Sequence, residues 1–205
     1  KAIRWRSGPM FEDEVFDRFE LAMTLDPDSY FPSDVVKDPI EETALKKWKG
    51  NFPHLGRESS SVALNFHQYF LLYCKINEIN PRKSEVAKSL TESNHKWYQQ
   101  IFELDVEIVA LDWVRSDAYR DMFAFFDSTN GFLLYRWGNN PFRTMAAAIL
   151  LEDEQIGFSR IPYAHQSFCT CPRSRCVKDR STWHCEAYME SELESVGNEA
   201  TRQSG

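Results

Sequence analysis

The chain has 205 residues, of which 42% are hydrophobic and 14% are aromatic, a composition typical of a globular protein with a sizeable core. Its formal net charge of -7 gives no electrostatic reason to expect a polyanionic partner, so DNA or RNA binding is disfavoured. No run approaches the roughly 20 apolar residues that span a bilayer, and no signal peptide opens the sequence.

The first informative segment is a pair of carboxylates at the end of an apolar run. Residues 19–25 predict a strand, and Asp26, Pro27 and Asp28 follow it directly. Asp-Pro-Asp is a good turn sequence. Two carboxylates in this spacing can also hold a divalent cation against a diphosphate, because hard oxygen ligands suit Mn²⁺ or Mg²⁺. On these residues alone, the turn and the metal site both stay open.

Helices and strands are predicted to alternate along the rest of the chain. Helices are expected over 40–48, 81–100, 116–127 and 141–151, and strands over 104–112, 132–136 and 155–160. Ser84 lies near the start of the second helix, and Ser116 is suited to cap the third. The apolar run over 62–76 fits either a strand or a buried helix. This alternation predicts an α/β protein with a largely parallel sheet flanked by helices.

Four of the five cysteines lie close together near the C-terminus, at Cys169, Cys171, Cys176 and Cys185. A zinc site usually has closer Cys-x2-Cys pairs, so disulfides in an oxidising lumen are the favoured interpretation, with zinc and free thiols as alternatives. The spacing does not decide which cysteines pair. From residue 187 onward the sequence is acidic, small and polar, which predicts a disordered tail after a domain over 1–186.

Several residues are candidates for chemistry. Glu107 lies inside an apolar strand, where an ionised carboxylate either pairs with a base such as Arg115 or Arg136 or serves a cleft. His165 follows a predicted strand in a loop-like setting, and imidazole suits Mn²⁺ as a third ligand, although a lone histidine is usually a surface or core residue. The turn over 137–140 can approach a ligand, but turns rich in asparagine are common.

Four collinear blocks then carry a family resemblance. Residues 4–8 with 25–28 are similar to an Arg-Phe-x-Ser-Gly segment that leads into Val-Glu-Pro-Asp, and residues 107–111 with 115–119 to Glu-Ile-Ala-Asp-Leu and Phe-Arg-Ser-x-x-Tyr. Residues 131–146 resemble a block containing Glu-Arg-Trp-Gly-Asp, and residues 161–172 resemble Ile-Gly-Tyr-x-His with a downstream Cys-Pro. These are blocks of the glycolipid 2-α-mannosyltransferase family, the fungal-type Golgi α-1,2-mannosyltransferases.

The resemblance implies a GT-A fold with a mixed, mostly parallel sheet, and retaining transfer of mannose from GDP-mannose to a glycan acceptor with Mn²⁺. Carried over by position, the metal ligands are Asp26, Asp28 and His165. Glu107 falls on the proposed nucleophile. Donor binding falls on Asp28 together with the segment Trp137, Gly138 and Asn139.

Three positions depart from the family pattern. Asn139 replaces an aspartate, Tyr135 replaces a glutamate and Arg143 replaces a histidine. Two alternatives therefore stay open, a transferase that uses another nucleotide sugar and a catalytically inactive glycan-binding or scaffold protein on the same fold. The family's domain begins well upstream of Lys1, so the resemblance also implies an N-terminally truncated domain. The full-length protein is then expected in the Golgi lumen as a type II membrane protein, with its anchor before Lys1 and an oligomeric state that the sequence does not set.

Overall fold

The computed structural model of the chain describes residues 2–166, 168–172 and 184–188. In these ranges the strands are β1 Leu21–Leu25, β2 Ser29–Tyr30, β3 Gly50–Phe52, β4 Leu55–Arg57, β5 Gln100–Phe102, β6 Val106–Ala110, β7 Ile156–Phe158, β8 Ala164–His165, β9 Phe168–Pro172 and β10 His184–Tyr188. The α-helices are α1 Ala2–Ser7, α2 Pro39–Lys46, α3 Phe66–Ile76, α4 Glu85–Leu90, α5 Leu111–Val114, α6 Asp117–Ser128, α7 Gly131–Leu134 and α8 Asn139–Leu150. Short 3₁₀ turns cover Pro9–Glu12, Glu14–Phe16 and Asp153–Gln155.

A four-stranded sheet with the order β1-β6-β3-β7 forms the centre. β6 pairs antiparallel with both β1 and β3, while β3 pairs parallel with β7. The mixed α/β class is confirmed, but the expectation of a mostly parallel sheet is wrong for the described strands. Alternation along the sequence does not set strand direction. Here β1 and β6 are neighbours although four other strands separate them in the chain, so no single βαβ crossover joins them.

A second sheet has the order β10-β9-β8-β2, and β4 and β5 form a separate antiparallel pair. β2 pairs antiparallel with β8, so that Ser29 lies opposite His165. β2 follows β1 after the short turn that contains Asp26 and Asp28. The end of the central sheet and the start of the second sheet therefore meet at these two carboxylates.

Two of the predicted helices begin directly after a capping serine, and one of them is shorter than predicted at both ends. The Ser84 hydroxyl accepts the Ala87 amide hydrogen bond at 2.9 Å, and the Ser116 hydroxyl accepts that of Tyr119 at 3.3 Å. Both serines are N-caps, as their positions indicated. The helix predicted over 81–100 ends at Leu90, because the next residue, Thr91, enters a β-bridge that shortens the helical segment.

Two apolar runs are both helical in the structure, at residues 66–76 and 131–134. The run over 62–76, which fits either a strand or a buried helix by its sequence, contains helix α3. The strand predicted over 132–136 is wrong, because α7 occupies this segment. A Cβ on Gly131 would lie 2.1 Å from the Trp137 ring, so the chain turns closely over the indole and only glycine fits there. Short apolar runs do not reveal such a close tertiary contact.

The hydrophobic core lies between the central sheet and the helices α3, α6 and α8. Aromatic side chains fill it, with ring centroids of Phe66 and Phe126 5.0 Å apart and those of Phe126 and Phe142 5.5 Å apart. Phe142 and Met145 place one face of α8 in this core. This packing holds α8 against the sheet, and α8 contributes a charged side chain to the site described below.

The C-terminal predictions lie largely outside the described residues. β10 includes Ala187 and Tyr188, the first residues of the predicted disordered tail, and residues 189–205 are not described. Among the described helices, none has both the length and the apolar character that a bilayer crossing requires.

Candidate metal and donor site

Asp26 and Asp28 lie in a tight turn directly after β1. The Asp26 amide donates a hydrogen bond to the Asp105 carbonyl at 2.8 Å, which extends the pairing of β1 with β6 by one residue. The Ser29 amide donates to the Asp26 carbonyl at 2.9 Å and closes the turn. The turn interpretation of Asp-Pro-Asp is confirmed, and this turn carries both carboxylates to the end of the sheet.

His165 joins these carboxylates because β8 pairs with β2. Its Nε2 atom lies 3.1 Å from Asp28 Oδ1 and 4.0 Å from Asp26 Oδ2. One ligand atom from each of the three residues falls within 4.8 Å of the others, which is close enough for a single metal ion. The structure therefore brings together the three residues that the sequence predicted as ligands.

Two further charged residues, Asp105 and Arg6, contact this cluster. His165 Nδ1 lies 3.1 Å from Asp105 Oδ2, and the Arg6 guanidinium forms an ion pair with Asp26 Oδ1. Burial raises the pKa of Asp105; its neighbour His165 opposes this shift, while Asp26 and Asp28 add to it. The imidazole ring therefore has a carboxylate at each of its two nitrogens.

The donor set fits a divalent cation of the Mn²⁺ type. Two carboxylates and one imidazole are ligands that Mn²⁺ accepts, and three protein ligands leave positions for phosphate oxygens. Asp26, Asp28 and Asp105 carry one negative charge each and Arg6 carries one positive charge, so with a neutral His165 the cluster has two excess negative charges. A divalent cation would neutralise them.

A cavity of about 900 Å³ opens beside the cluster and shares His165 and Asp105 with it. Glu103 also lines this cavity, and burial, with Asp105 and Glu58, raises its pKa to about 7. The Asn140 amide donates a hydrogen bond to Glu103 at 2.9 Å. This polar cavity lies next to the candidate metal ligands and is large enough to hold a sugar-sized group.

Glu107 lies on β6 and is completely buried. Its Oε1 accepts a hydrogen bond from the Thr24 hydroxyl at 3.2 Å, and its Oε2 lies 3.6 Å from Arg143 Nε. Both side chains of this ion pair are 0% exposed. The prediction that Glu107 pairs with Arg115 or Arg136 is wrong, because its ion-pair partner is Arg143 on α8.

Arg143 connects this buried pair with the metal cluster. It donates a hydrogen bond to the Arg6 carbonyl at 2.8 Å, and its guanidinium lies 4.7 Å from the centroid of the Phe11 ring. Three polar atoms of the pair, Glu107 Oε2, Arg143 Nε and one terminal Arg143 nitrogen, have no hydrogen-bond partner. The electrostatic attraction between the two charges therefore has to compensate for the cost of removing both side chains from water.

The remaining donor-binding candidates lie at the start of α8. Trp137 is 0% exposed, and its indole N–H donates to the Leu64 carbonyl at 2.7 Å, so its side chain is a core group. Gly138 precedes α8, and a Cβ at this position would lie 3.1 Å from Glu58. Asn139 is 9% exposed. Donor contacts of this segment stay a prediction.

The cysteines support the disulfide interpretation. Cys169 and Cys171 are both disulfide-bonded, which confirms the prediction for these two and removes them as zinc thiolates. The side chains of Cys176 and Cys185 lie outside the described part of the chain. Cys74 is a free thiol in the core, and burial raises its pKa to about 12. A zinc module that uses Cys169 and Cys171 is therefore excluded.

Sequence reasoning missed three residues of the site, namely Arg6, Asp105 and Arg143 in its role as ion-pair partner. Asp105 was visible as an acid at the start of a predicted strand, but its position opposite Asp26 depends on strand register. Arg6 lies in the first block of the family resemblance, at the position where the pattern is variable. Neither contact leaves a local pattern in the sequence.

The mixed α/β architecture is a GT-A-like glycosyltransferase fold. A family model, glycolipid 2-alpha-mannosyltransferase, matches residues 1–202. The chain belongs to this family. It is 25% identical over 207 residues to the probable mannosyltransferase KTR3 of Saccharomyces cerevisiae, covering 95% of this chain and 51% of that protein. It is 26% identical over 185 residues to the glycolipid 2-alpha-mannosyltransferase of the same organism, covering 89% and 42%.

Solved structures show the same fold. Core-mannan synthase A (CmsA/Ktr4) from Aspergillus fumigatus, in its Mn/GDP form, superposes with a TM-score of 0.78 at 18% identity, covering 91% of this chain and 53% of that one. The mannosyltransferase Ktr4p from S. cerevisiae in complex with GDP gives a TM-score of 0.75 at 20% identity, with coverages of 88% and 50%. The chain spans about half the length of the relatives that it matches.

Proposed function

We propose that the protein transfers mannose from GDP-mannose to a glycan acceptor with retention of configuration and with Mn²⁺ as the metal. The observation that carries this proposal is the convergence of Asp26, Asp28 and His165 at the meeting point of two sheets. Membership of a mannosyltransferase family and the Mn/GDP form of a structural relative support the choice of donor and metal. The acceptor is an oligosaccharide or glycoconjugate of the secretory pathway.

The residues of the cluster would hold the cation, which supplies charge neutralisation of the departing diphosphate. Asp28 is the most open of the three ligands, with 57% of its side chain exposed, so it is best placed to share the metal with a donor phosphate. Asp26 and His165 are more enclosed, at 22% and 17%. The two enclosed ligands would fix the position of the metal, and Asp28 would face the donor.

Glu107 is proposed to support the positive charge that develops at the sugar carbon, as the family resemblance implies. Retention requires a carboxylate on the face of the sugar opposite the leaving group, or a front-face reaction in which such a group only stabilises charge. Thr24 lies opposite Glu107 on β1, and Asp26 follows two residues later. Because the pairing with β6 extends to Asp26, and side chains two residues apart on a strand point to the same face, Glu107 and Asp26 lie on one face of the sheet.

A second candidate function is glycan or nucleotide binding without transfer. The specific observation in its favour is the buried ion pair of Glu107 with Arg143, which stands where the family pattern has histidine. A carboxylate that is permanently neutralised by an arginine is a poor nucleophile. In this case, the metal cluster would bind the nucleotide, but the sugar would not be transferred.

The oxidising compartment is supported independently of the family. Disulfides at Cys169 and Cys171 persist where glutathione does not reduce them, as in the secretory lumen. We propose this lumen as the location, in agreement with the Golgi expectation from the resemblance.

Ligand-dependent unfolding and product analysis test the proposed function together. With Mn²⁺ present and GDP at about 100 times its dissociation constant, we expect a stabilisation of about 2.7 kcal/mol, seen as a rise in the unfolding temperature that EDTA abolishes. UDP at equal concentration should stabilise less. Transfer of mannose from GDP-mannose to an acceptor mannoside is then measured by mass spectrometry. Stabilisation without transfer would favour the second candidate, and no stabilisation by GDP would contradict both.

A further inference from the structure

Among the described residues, Asp105 has a carboxylate that contacts His165 but is not part of the three-residue ligand group. We infer that Asp105 is a positioning residue, which holds the His165 ring so that Nε2 faces the cation. This inference rests on the metal site of the proposed function. It adds a residue that is outside the three ligands and outside the family motifs that predicted them.

The contacts of the histidine ring define its orientation. Nδ1 lies 3.1 Å from Asp105 Oδ2, while Nε2 lies 3.1 Å from Asp28 Oδ1 and 4.0 Å from Asp26 Oδ2. A neutral imidazole carries its hydrogen on one nitrogen and its free lone pair on the other. A hydrogen bond from Nδ1–H to Asp105 therefore leaves the lone pair of Nε2 for the metal, as in carboxylate–histidine–metal arrangements.

The position of Asp105 is itself restrained. Its backbone carbonyl accepts the hydrogen bond from the Asp26 amide at 2.8 Å, so the segment that carries Asp105 is tied to the segment that carries a ligand. Its side chain is only 14% exposed, against 57% for Asp28. A buried acceptor on a restrained backbone can orient a ring, whereas a solvent-exposed one would be replaced by water.

Asp105 could also act only through its charge, and two substitutions separate the two effects. Asp105→Ala removes both the acceptor and the charge, while Asp105→Asn removes the charge and keeps an oxygen that can accept from Nδ1–H. Alanine is small enough for the same space, and it relieves repulsion among three neighbouring carboxylates, so we expect this variant to fold. Asp112→Ala is the matched control, because Asp112 follows β6 at its opposite end and pairs with Lys49.

The test is the affinity of the purified chain for Mn²⁺ alone, measured by electron paramagnetic resonance of the free ion at one fixed pH, with thermal unfolding as a check of folding. We expect Asp105→Ala to bind about 10- to 100-fold more weakly than the unaltered chain. Asp105→Asn should recover most of this loss, and Asp112→Ala should bind normally.

Three results would overturn the inference. Equal affinity of Asp105→Ala and the unaltered chain would show that His165 needs no support. Equal loss in the alanine and asparagine variants would assign the effect to charge instead of orientation. No binding of Mn²⁺ by the unaltered chain would contradict the proposed metal site itself, and this result is distinguishable from the other two because it appears before any substitution is made.

Discussion

Arg143→Met is expected to lower the free energy of unfolding by about 3–5 kcal/mol, because it leaves the carboxylate of Glu107 buried without a counter-charge. Both side chains are 0% exposed, and Glu107 Oε2 has no hydrogen bond that could compensate. The substitution also removes the hydrogen bond from Arg143 to the Arg6 carbonyl. Urea unfolding followed by tryptophan fluorescence measures the change.

A second variant and a control make this prediction specific. In the double variant Glu107→Gln with Arg143→Met, the buried charge is gone, so we expect at least about 1 kcal/mol of the loss to be recovered. Arg120→Met removes an arginine that pairs with Glu12 at the surface, where both side chains are nearly half exposed, and should cost no more than about 1 kcal/mol. Unfolding of Arg143→Met at the same urea concentration as the unaltered chain would contradict the buried ion pair.

Asp28→Asn and His165→Gln are each expected to lower mannosyl transfer at least about a hundredfold at a fixed, low Mn²⁺ concentration. A bound cation is worth several kcal/mol of charge stabilisation, and each 1.36 kcal/mol corresponds to a factor of ten in rate. Each substitution removes one of three protein ligands, so the metal is held more weakly. Higher Mn²⁺ should recover part of the activity.

The control for these two variants is Asp121→Asn, an exposed carboxylate on α6. It changes the net charge by the same amount as Asp28→Asn and should keep normal activity. The measurement is the initial rate of transfer from GDP-mannose over a range of Mn²⁺ concentrations. Unchanged rates and an unchanged requirement for Mn²⁺ in both ligand variants would remove these residues from the metal site.

Much of the fold was predictable where a local pattern determines the local structure. The caps at Ser84 and Ser116 follow from the hydrogen bonds that free helix amides require, and they are present. The strand predicted over 104–112 contains β6, whose five residues are all buried. The segment over 132–136 was not predictable in the same way, because the close approach of Gly131 to Trp137 decides it and lies outside any local pattern.

The metal ligands were predictable from the sequence, whereas the residues that surround them were not. Asp26 and Asp28 were visible as a pair because they are neighbours in sequence, and His165 was visible through an ordered set of motifs. Asp105 reaches His165 through the register of β1 with β6 and of β2 with β8, and no sequence pattern reports register in advance. Arg143 on α8 reaches Glu107 on β6 through a side-chain contact between residues that are 36 positions apart in the sequence, which no local pattern reports.

Anomalous X-ray diffraction from crystals of the chain grown with Mn²⁺ and GDP would locate the metal directly. We expect one strong manganese peak in contact with Asp26, Asp28 and His165, with the diphosphate of GDP on the side of Asp28. A manganese peak at other residues, or GDP bound away from these three side chains, would contradict this expectation.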